Sequence, residues 1–342
     1  LRGVVAGETE ISTVGMEGTS LRYRGYDAIE LTKTHTYEDV ASLIIDDNLD
    51  GKLFKETFTD HYENLLKDED LIKLIENLKV KQHPMDVMRT AISYIGQADE
   101  SNKLEAASKV TAIACLVIAS YNEEPSGQLD ADYTVASSLL PNTASNQQHE
   151  ALDDMLILYA EHGFNASTFA ARVTASTRSD LTSAIVSGVG TLKGELHGGA
   201  NEAAVELINS FSNPEDAEKG VYKLLEEKKK IMGFGHGVYK IQDPRSPVVK
   251  NWVEVLSKTE ESLNKYEIAK TVDAIMDSEK KLFPNVDFYG GLLLSELGFA
   301  VDLFTPIFVT GRSVGWSAHY FEQRDQDTLI RPAAKYTGIE ER

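Results

Sequence analysis

The chain has 342 residues, 42% of them hydrophobic and 26% charged, so one large or two ordinary folded domains are expected and disorder is not. Thirty-four basic against 54 acidic residues give a formal net charge of −20, which argues against a broad nucleic-acid or anionic-membrane surface, because such partners need many Lys and Arg. An anionic ligand would instead require a local basic pocket.

In chain order, "GVVAGETEIS…LRYRGYD" mixes short β-branched runs with glycines and predicts a small hairpin. Helical periodicity follows almost everywhere. The single cysteine, Cys115, lies in the apolar "TAIACLVIAS" and reads as a buried core thiol in a reducing cytoplasm. No apolar run is long enough to span a bilayer, and "LRGVVAGETE" has no signal-peptide pattern. Two polar segments, 121–133 and 140–150, read as surface loops. In "EALDDMLILYAEH", Leu152, Met155, Leu156 and Tyr159 form one helical stripe that ends near His162. Val249, Trp252, Val253 and Leu256 form another. Pro84, Pro125, Pro141, Pro214, Pro244, Pro284 and Pro306 are expected to divide a dozen or more helices, with little strand.

Four motifs carry possible chemistry. "KGELHGGANEA" sets His197 against two glycines, where a ligand can approach the imidazole, ahead of a helix whose N-terminus favours an anion; the alternative is a turn with an incidental histidine. "IMGFGHGVYKIQDPR" alternates Gly233, Gly235 and Gly237 with Phe234 and His236. A charged helical segment precedes it, which argues against a strand–turn–helix dinucleotide fingerprint but leaves a glycine loop able to present N–H groups to an anion, or a flexible connector. In "LFPNVDFYGG" the apolar neighbours of Asp287 would raise its pKa and strengthen it as a base, although Pro-Asn-x-Asp is also turn chemistry. Arg245, Arg312 and Arg331, each beside glycine or proline, would suit a di- or tricarboxylate if they converge; singly each reads as a surface ion pair. No metal-ligand spacing, nucleophile elbow or P-loop is present.

Taken together with "YAEHGFNASTFAARV", "LFTPIFVTGRSVGWSAH", "EQRDQDTLIRPAAKYTG" and "HPMDVMRTAIS", these motifs resemble the citrate synthase family in order and spacing over essentially the whole chain. The resemblance implies an all-α fold with a short N-terminal β-hairpin, a large domain from residues 1–199 and 304–342, and an inserted small domain at 200–303. It implies an acyltransferase that condenses oxaloacetate with an acyl-CoA and then hydrolyses the thioester. His197, His236 and Asp287 match the family's catalytic residues. His162, Arg245, Arg312 and Arg331 match its oxaloacetate ligands, the last supplied by the partner subunit of a homodimer with shared active sites. Met232, Gly233, Phe234, Gly235 and Lys240 match its CoA-binding loop. No metal or other cofactor is implied beyond the CoA thioester substrate, and no nucleic acid or membrane partner.

"VAGETEISTVG", "HPMDVMRT" and the C-terminal motif look more like the 2-methylcitrate synthase branch, which uses propionyl-CoA, than like citrate synthases using acetyl-CoA. Gly237, Gly163, Gly311 and Glu195 depart from many relatives; Gly163 and Gly311 are expected to add backbone freedom beside substrate-binding residues. The competing readings are a metal-dependent hydrolase built from His162, His197, His236 and Asp287, and a non-catalytic helical binder of CoA or carboxylates.

Overall fold

The computed structural model describes residues 3–15, 18–122 and 133–339. A three-stranded antiparallel sheet, β1 (Ser12–Val14), β2 (Leu21–Tyr23) and β3 (Tyr26–Asp27), opens the chain. Sixteen α-helices follow among the described residues, so the expectation of an all-α fold after an N-terminal hairpin holds. The first half holds α1 (Ala28–Thr32), α2 (Tyr37–Asp46), α3 (Lys52–Leu66), α4 (Glu69–Lys79), α5 (Pro84–Tyr94), α6 (Lys103–Ala119) and α7 (Val135–Leu139). Then come α8 (Asn146–Tyr159), α9 (Ala166–Ser176), α10 (Leu181–Leu192), α11 (Ala200–Asn209) and α12 (Pro214–Glu226). The last are α13 (Ser246–Leu256), α14 (Glu260–Lys280), α15 (Val286–Glu296) and α16 (Phe304–Gln326).

The expected stripe of α8 is wholly buried: Leu152, Met155, Leu156 and Tyr159 are all 0% exposed. In α13, Val249 and Val253 are buried while Trp252 and Leu256 are partly so. Helix α16 is the central element, buried on every side from Phe304 to Phe321 and packed against α2, α6, α8, α9 and α10. A helix apolar or small all round belongs inside a core. Helices α11 to α15 pack mainly on one another and reach the rest of the chain through contacts such as α13 on α8 and α11 on α16. One of these is Trp252 Nε1–H donating to Asp154 Oδ2 at 2.6 Å. Cys115 is buried in the core, and burial pushes its thiol up to about 12.

Two local expectations change. Segment 140–150 is not all loop, because Ser145 and Gln148 form a capping box that starts α8 within it. Pro306 does not break a helix but sits in the first turn of α16, where a backbone N–H would have no intrahelical acceptor to lose. Most of the other polar segment, residues 123–132, lies outside the described residues. No helix among the described residues is long and apolar enough to cross a membrane.

Candidate active site

Two adjoining clefts meet at the glycine loop and the start of α15. One, of ≈ 430 Å³, is lined by His162, Arg245, Arg312, Phe308 and the hairpin residue Val14. The other, of ≈ 370 Å³, is lined by residues 230–237, by Leu196 and Ala200, and by Asn285. Four residues face both: His197, His236, Gly237 and Asp287. The three residues that the motifs nominate for catalysis thus stand where the two clefts meet.

Backbone pairing brings two of the motifs together. Gly235 N–H donates to Phe283 O at 2.8 Å and Asn285 N–H to Gly233 O at 2.9 Å, so the glycine loop runs antiparallel to the segment that opens α15. Asn285 caps α15, its Oδ1 accepting from Asp287 N–H at 3.0 Å, and its Nδ2 holds Gly235 O at 3.1 Å. The turn chemistry noted in "PNVD" is therefore a helix cap that places Asp287 in the first turn. Gly233 has φ +85° and lies against Phe288, where a Cβ would come to 2.9 Å of the Phe288 Cβ. Only glycine fits there.

Two of the cleft histidines, His197 and His236, are each held in one tautomer. The Ser167 N–H at the start of α9 points at His197 Nε2 at 3.3 Å, with the Ser167 hydroxyl at 2.8 Å. A backbone N–H can only donate, so Nε2 accepts and the ring proton is on Nδ1. Val238 and Tyr239 N–H donate to His236 Nδ1 at 3.0 and 3.2 Å, which puts that ring's proton on Nε2. Burial, then the positive field of Arg312 for His197 and of Arg245 for His236, depresses both to about 4. Both are neutral at pH 7, each with a donor N–H left over. His162 is also neutral, held well below the ordinary value by burial and by Arg245, His236 and Arg312. Its Nε2 lies 3.0 Å from Tyr239 Oη and its ring 5.0 Å from that of His236.

The arginines differ from one another. Arg245 is buried in a bidentate pair with Asp243, at 3.0 and 2.8 Å, and Asp243 also accepts from Val286 N–H, joining the "DPR" motif to α15. Arg312 is 1% exposed, its Nε donates to Tyr159 O at 2.6 Å, and its guanidinium has no carboxylate partner among the described residues. Burial pulls its pKa below the ordinary guanidinium value. A buried cation with no carboxylate in direct contact is costly, so the cleft is built to receive an anion. Asp287 is raised by burial from 3.8 to about 6, with Arg245 and Arg312 opposing the rise.

Not every expected residue is here. Lys240 is exposed, its Nζ 3.4 Å from Gly237 O, and it lines neither cleft. The basic residue facing the glycine-loop cleft is Lys230, which ends the "EKKK" run and which the sequence reading passed over. Arg331 lies in the exposed segment after α16 and lines neither cleft of its own chain; the adjacent Ile330 N–H donates to Ser176 Oγ at 3.1 Å. Ser167, Tyr239 and Asp243 escaped notice, although Asn165-x-x-Thr168 is a legible helix cap that leads to Ser167. Among the described residues no three His, Cys, Asp or Glu side chains come together as a metal-binding group. The field of Arg245 and Arg312 opposes a cation here in any case.

A family model for the C-terminal domain of citrate synthase matches residues 1–333. A 2-methylcitrate synthase of Shewanella oneidensis is 40% identical, covering 100% of this chain and 95% of its own. Citrate synthase 2 of Bacillus subtilis is 37% identical, covering 99% and 95%. Among solved structures, the ternary complex of Thermoplasma acidophilum citrate synthase with carboxymethyl coenzyme A and oxaloacetate superposes with a TM-score of 0.90 at 28% identity, covering 100% of this chain and 96% of that one.

Proposed function

The chain belongs to the citrate synthase family, and on that premise we propose that its paired clefts condense oxaloacetate with an acyl-CoA and water, giving a 2-methylcitrate or citrate and free CoA. The observation that carries the reading is the meeting of an arginine-lined cleft and a glycine-loop cleft at His197, His236 and Asp287. Oxaloacetate would occupy the first, its carboxylates on Arg312, Arg245 and His162. The acyl-CoA would lie along the second, its thioester between Asp287 and His197 and its polar end toward Lys230.

The chemistry follows from the protonation states. A thioester α-hydrogen is too weakly acidic for a carboxylate unless the enolate oxygen is stabilised as it forms. Asp287, desolvated and ionised above about 6, takes that proton. The Nδ1–H of neutral His197 donates to the thioester oxygen. The enolate carbon attacks the oxaloacetate carbonyl while the Nε2–H of neutral His236 donates to the oxygen that becomes the alkoxide. Water then cleaves the citryl thioester and releases the thiol. Neutral donors suit both steps, because an imidazolium beside Arg245 and Arg312 would lose its proton before the substrate arrived.

Residues 200–303 form the small domain and 1–199 with 304–342 the large one, and closure on oxaloacetate completes the acyl-CoA site. The enzyme works as a cytoplasmic homodimer in which Arg331 reaches the partner's site. Propionyl-CoA is the favoured thioester; the Shewanella relative supports this preference. One methylene discriminates by only about 1–3 kcal/mol, so acetyl-CoA also turns over. The test is release of free thiol, which requires both oxaloacetate and acyl-CoA, with kcat/KM higher for propionyl-CoA. Silence with both thioesters removes the reading, and a higher ratio for acetyl-CoA removes only the preference.

A further inference from the structure

Next to His162 stands Glu161, 0% exposed, whose carboxylate touches neither cleft. Its Oε1 accepts three hydrogen bonds: from Ser12 Oγ at 2.9 Å, from His319 Nε2 at 2.9 Å, and from the N–H of Gly163. Its Oε2 has no partner and lies over Gly315, where a Cβ would come within 2.6 Å. A single oxygen therefore ties β1, α16 and the turn after α8 together.

Its direction is imposed from behind. Arg172, 0% exposed, donates from Nη1 to His319 Nδ1 at 2.9 Å and also pairs with Glu322. A guanidinium has no acceptor, so Nδ1 is bare and His319 carries its proton on Nε2, toward Glu161. The order Glu322, Arg172, His319, Glu161 then has one consistent set of donors and acceptors. Burial pushes the Glu161 carboxyl up, but His319, Arg312 and Ser12 outweigh it and hold it below the usual range, so it stays an acceptor. The bond that this arrangement delivers is to Gly163, at φ +58°, a conformation rarely adopted by residues with a Cβ. Gly163 immediately follows His162 and lines the arginine cleft.

We infer that Glu161 is a positioning residue for the reaction: fixed by His319, its carboxylate holds the Gly163 turn and thereby aims His162 at the oxaloacetate cleft. The inference rests on the reading of that cleft as the oxaloacetate site. It explains why a carboxylate is buried within the field of Arg312 without pairing with it.

Two near-isosteric variants separate reach from charge. Glu161→Gln keeps an acceptor oxygen at full length and removes the charge; Glu161→Asp keeps the charge and withdraws it by one methylene. The readout is the oxaloacetate KM at saturating acyl-CoA, with kcat and the melting midpoint measured alongside. A merely structural role would lower the folded fraction, and so the apparent kcat, while leaving KM alone. The expected result is a KM about tenfold higher for Glu161→Asp and within about threefold of wild type for Glu161→Gln, tenfold corresponding to ~1.4 kcal/mol. Ser12→Ala removes one donor to Oε1 at a partly exposed position and serves if Glu161→Asp does not fold; its KM is expected to rise about threefold. Unmoved KM values in Glu161→Asp or Ser12→Ala, or a rise in Glu161→Gln equal to that in Glu161→Asp, overturn the inference. Wild-type protein without oxaloacetate-dependent turnover overturns the underlying reading instead.

Discussion

Replacing Asp287 with Asn should make the protein more stable at pH 8 while removing its turnover. Asp287 titrates at about 6 in the fold against 3.8 for the free group. Its ionised form is therefore disfavoured by folding. A shift of that size corresponds to ~3 kcal/mol, and nearer ~2 kcal/mol once the solvent admitted by the open cleft is allowed for. The sign follows from linkage. Below pH 3.8 the carboxyl is protonated in both states and costs nothing; the penalty grows as pH rises toward 6 and is complete above it. Asn is neutral throughout, so the stability gap between variant and wild type should widen between pH 4 and 6 and then stay flat. The neighbouring histidines titrate in both proteins and largely cancel in the difference. Urea denaturation at half-unit intervals from pH 4 to 8 reads the gap, and thiol release reads the activity, expected to fall by about 10²–10⁴. A gap that does not vary with pH, or a wild type more stable than the variant at pH 8, would refute the assignment of Asp287 as a desolvated base.

The same ionisation should govern rate: kcat/KM for the acyl-CoA rises with pH through about 6 as Asp287 loses its proton, and a profile flat between pH 5 and 7 speaks against it. Arg312→Met should raise the oxaloacetate KM by at least about 100-fold, since a charged hydrogen-bonding partner is lost from a buried site. Without ligand the same variant should melt within a few degrees of wild type, because no direct ion pair is broken and the relieved desolvation of the guanidinium offsets its lost attraction to Glu161. Gly233→Ala forces a Cβ to within 2.9 Å of Phe288 at φ +85°. It should raise the acyl-CoA KM and destabilise by ~1–3 kcal/mol, measured by steady-state kinetics and thermal melting.

The sequence made the fold class and the site unequally legible. Periodicity identified α8 and α13 because their apolar positions recur at helical spacing, and Asp27, Thr36, Ser145 and Asn285 mark helix starts with cap side chains. Helix α16 was harder to read as a core element from its stripe. Its burial comes from large and small residues on all faces rather than from one apolar side. Among the site residues, those bearing unusual chemistry in glycine-rich context, His197, His236 and Asp287, stood out. The partners that define their protonation did not, because a serine N–H at a helix start or a tyrosine in "GVYK" has no distinctive local pattern. Lys230 was hidden in a run of charge that reads as a solvated face. Whether Arg312 or Arg245 is the uncompensated cation depends on Asp243, two residues from one of them and far along the chain from the other.

The central claim is that Asp287 removes the α-proton of an acyl-CoA held against oxaloacetate. Single-turnover reactions of wild type and Asp287→Ala with oxaloacetate and propionyl-CoA test it most directly, with oxaloacetate binding measured on the same samples. Wild type should release one thiol for each condensation product, and the variant should bind oxaloacetate yet react at least about 10²-fold more slowly. An Asp287→Ala protein that binds oxaloacetate and turns over at the wild-type rate would contradict the account.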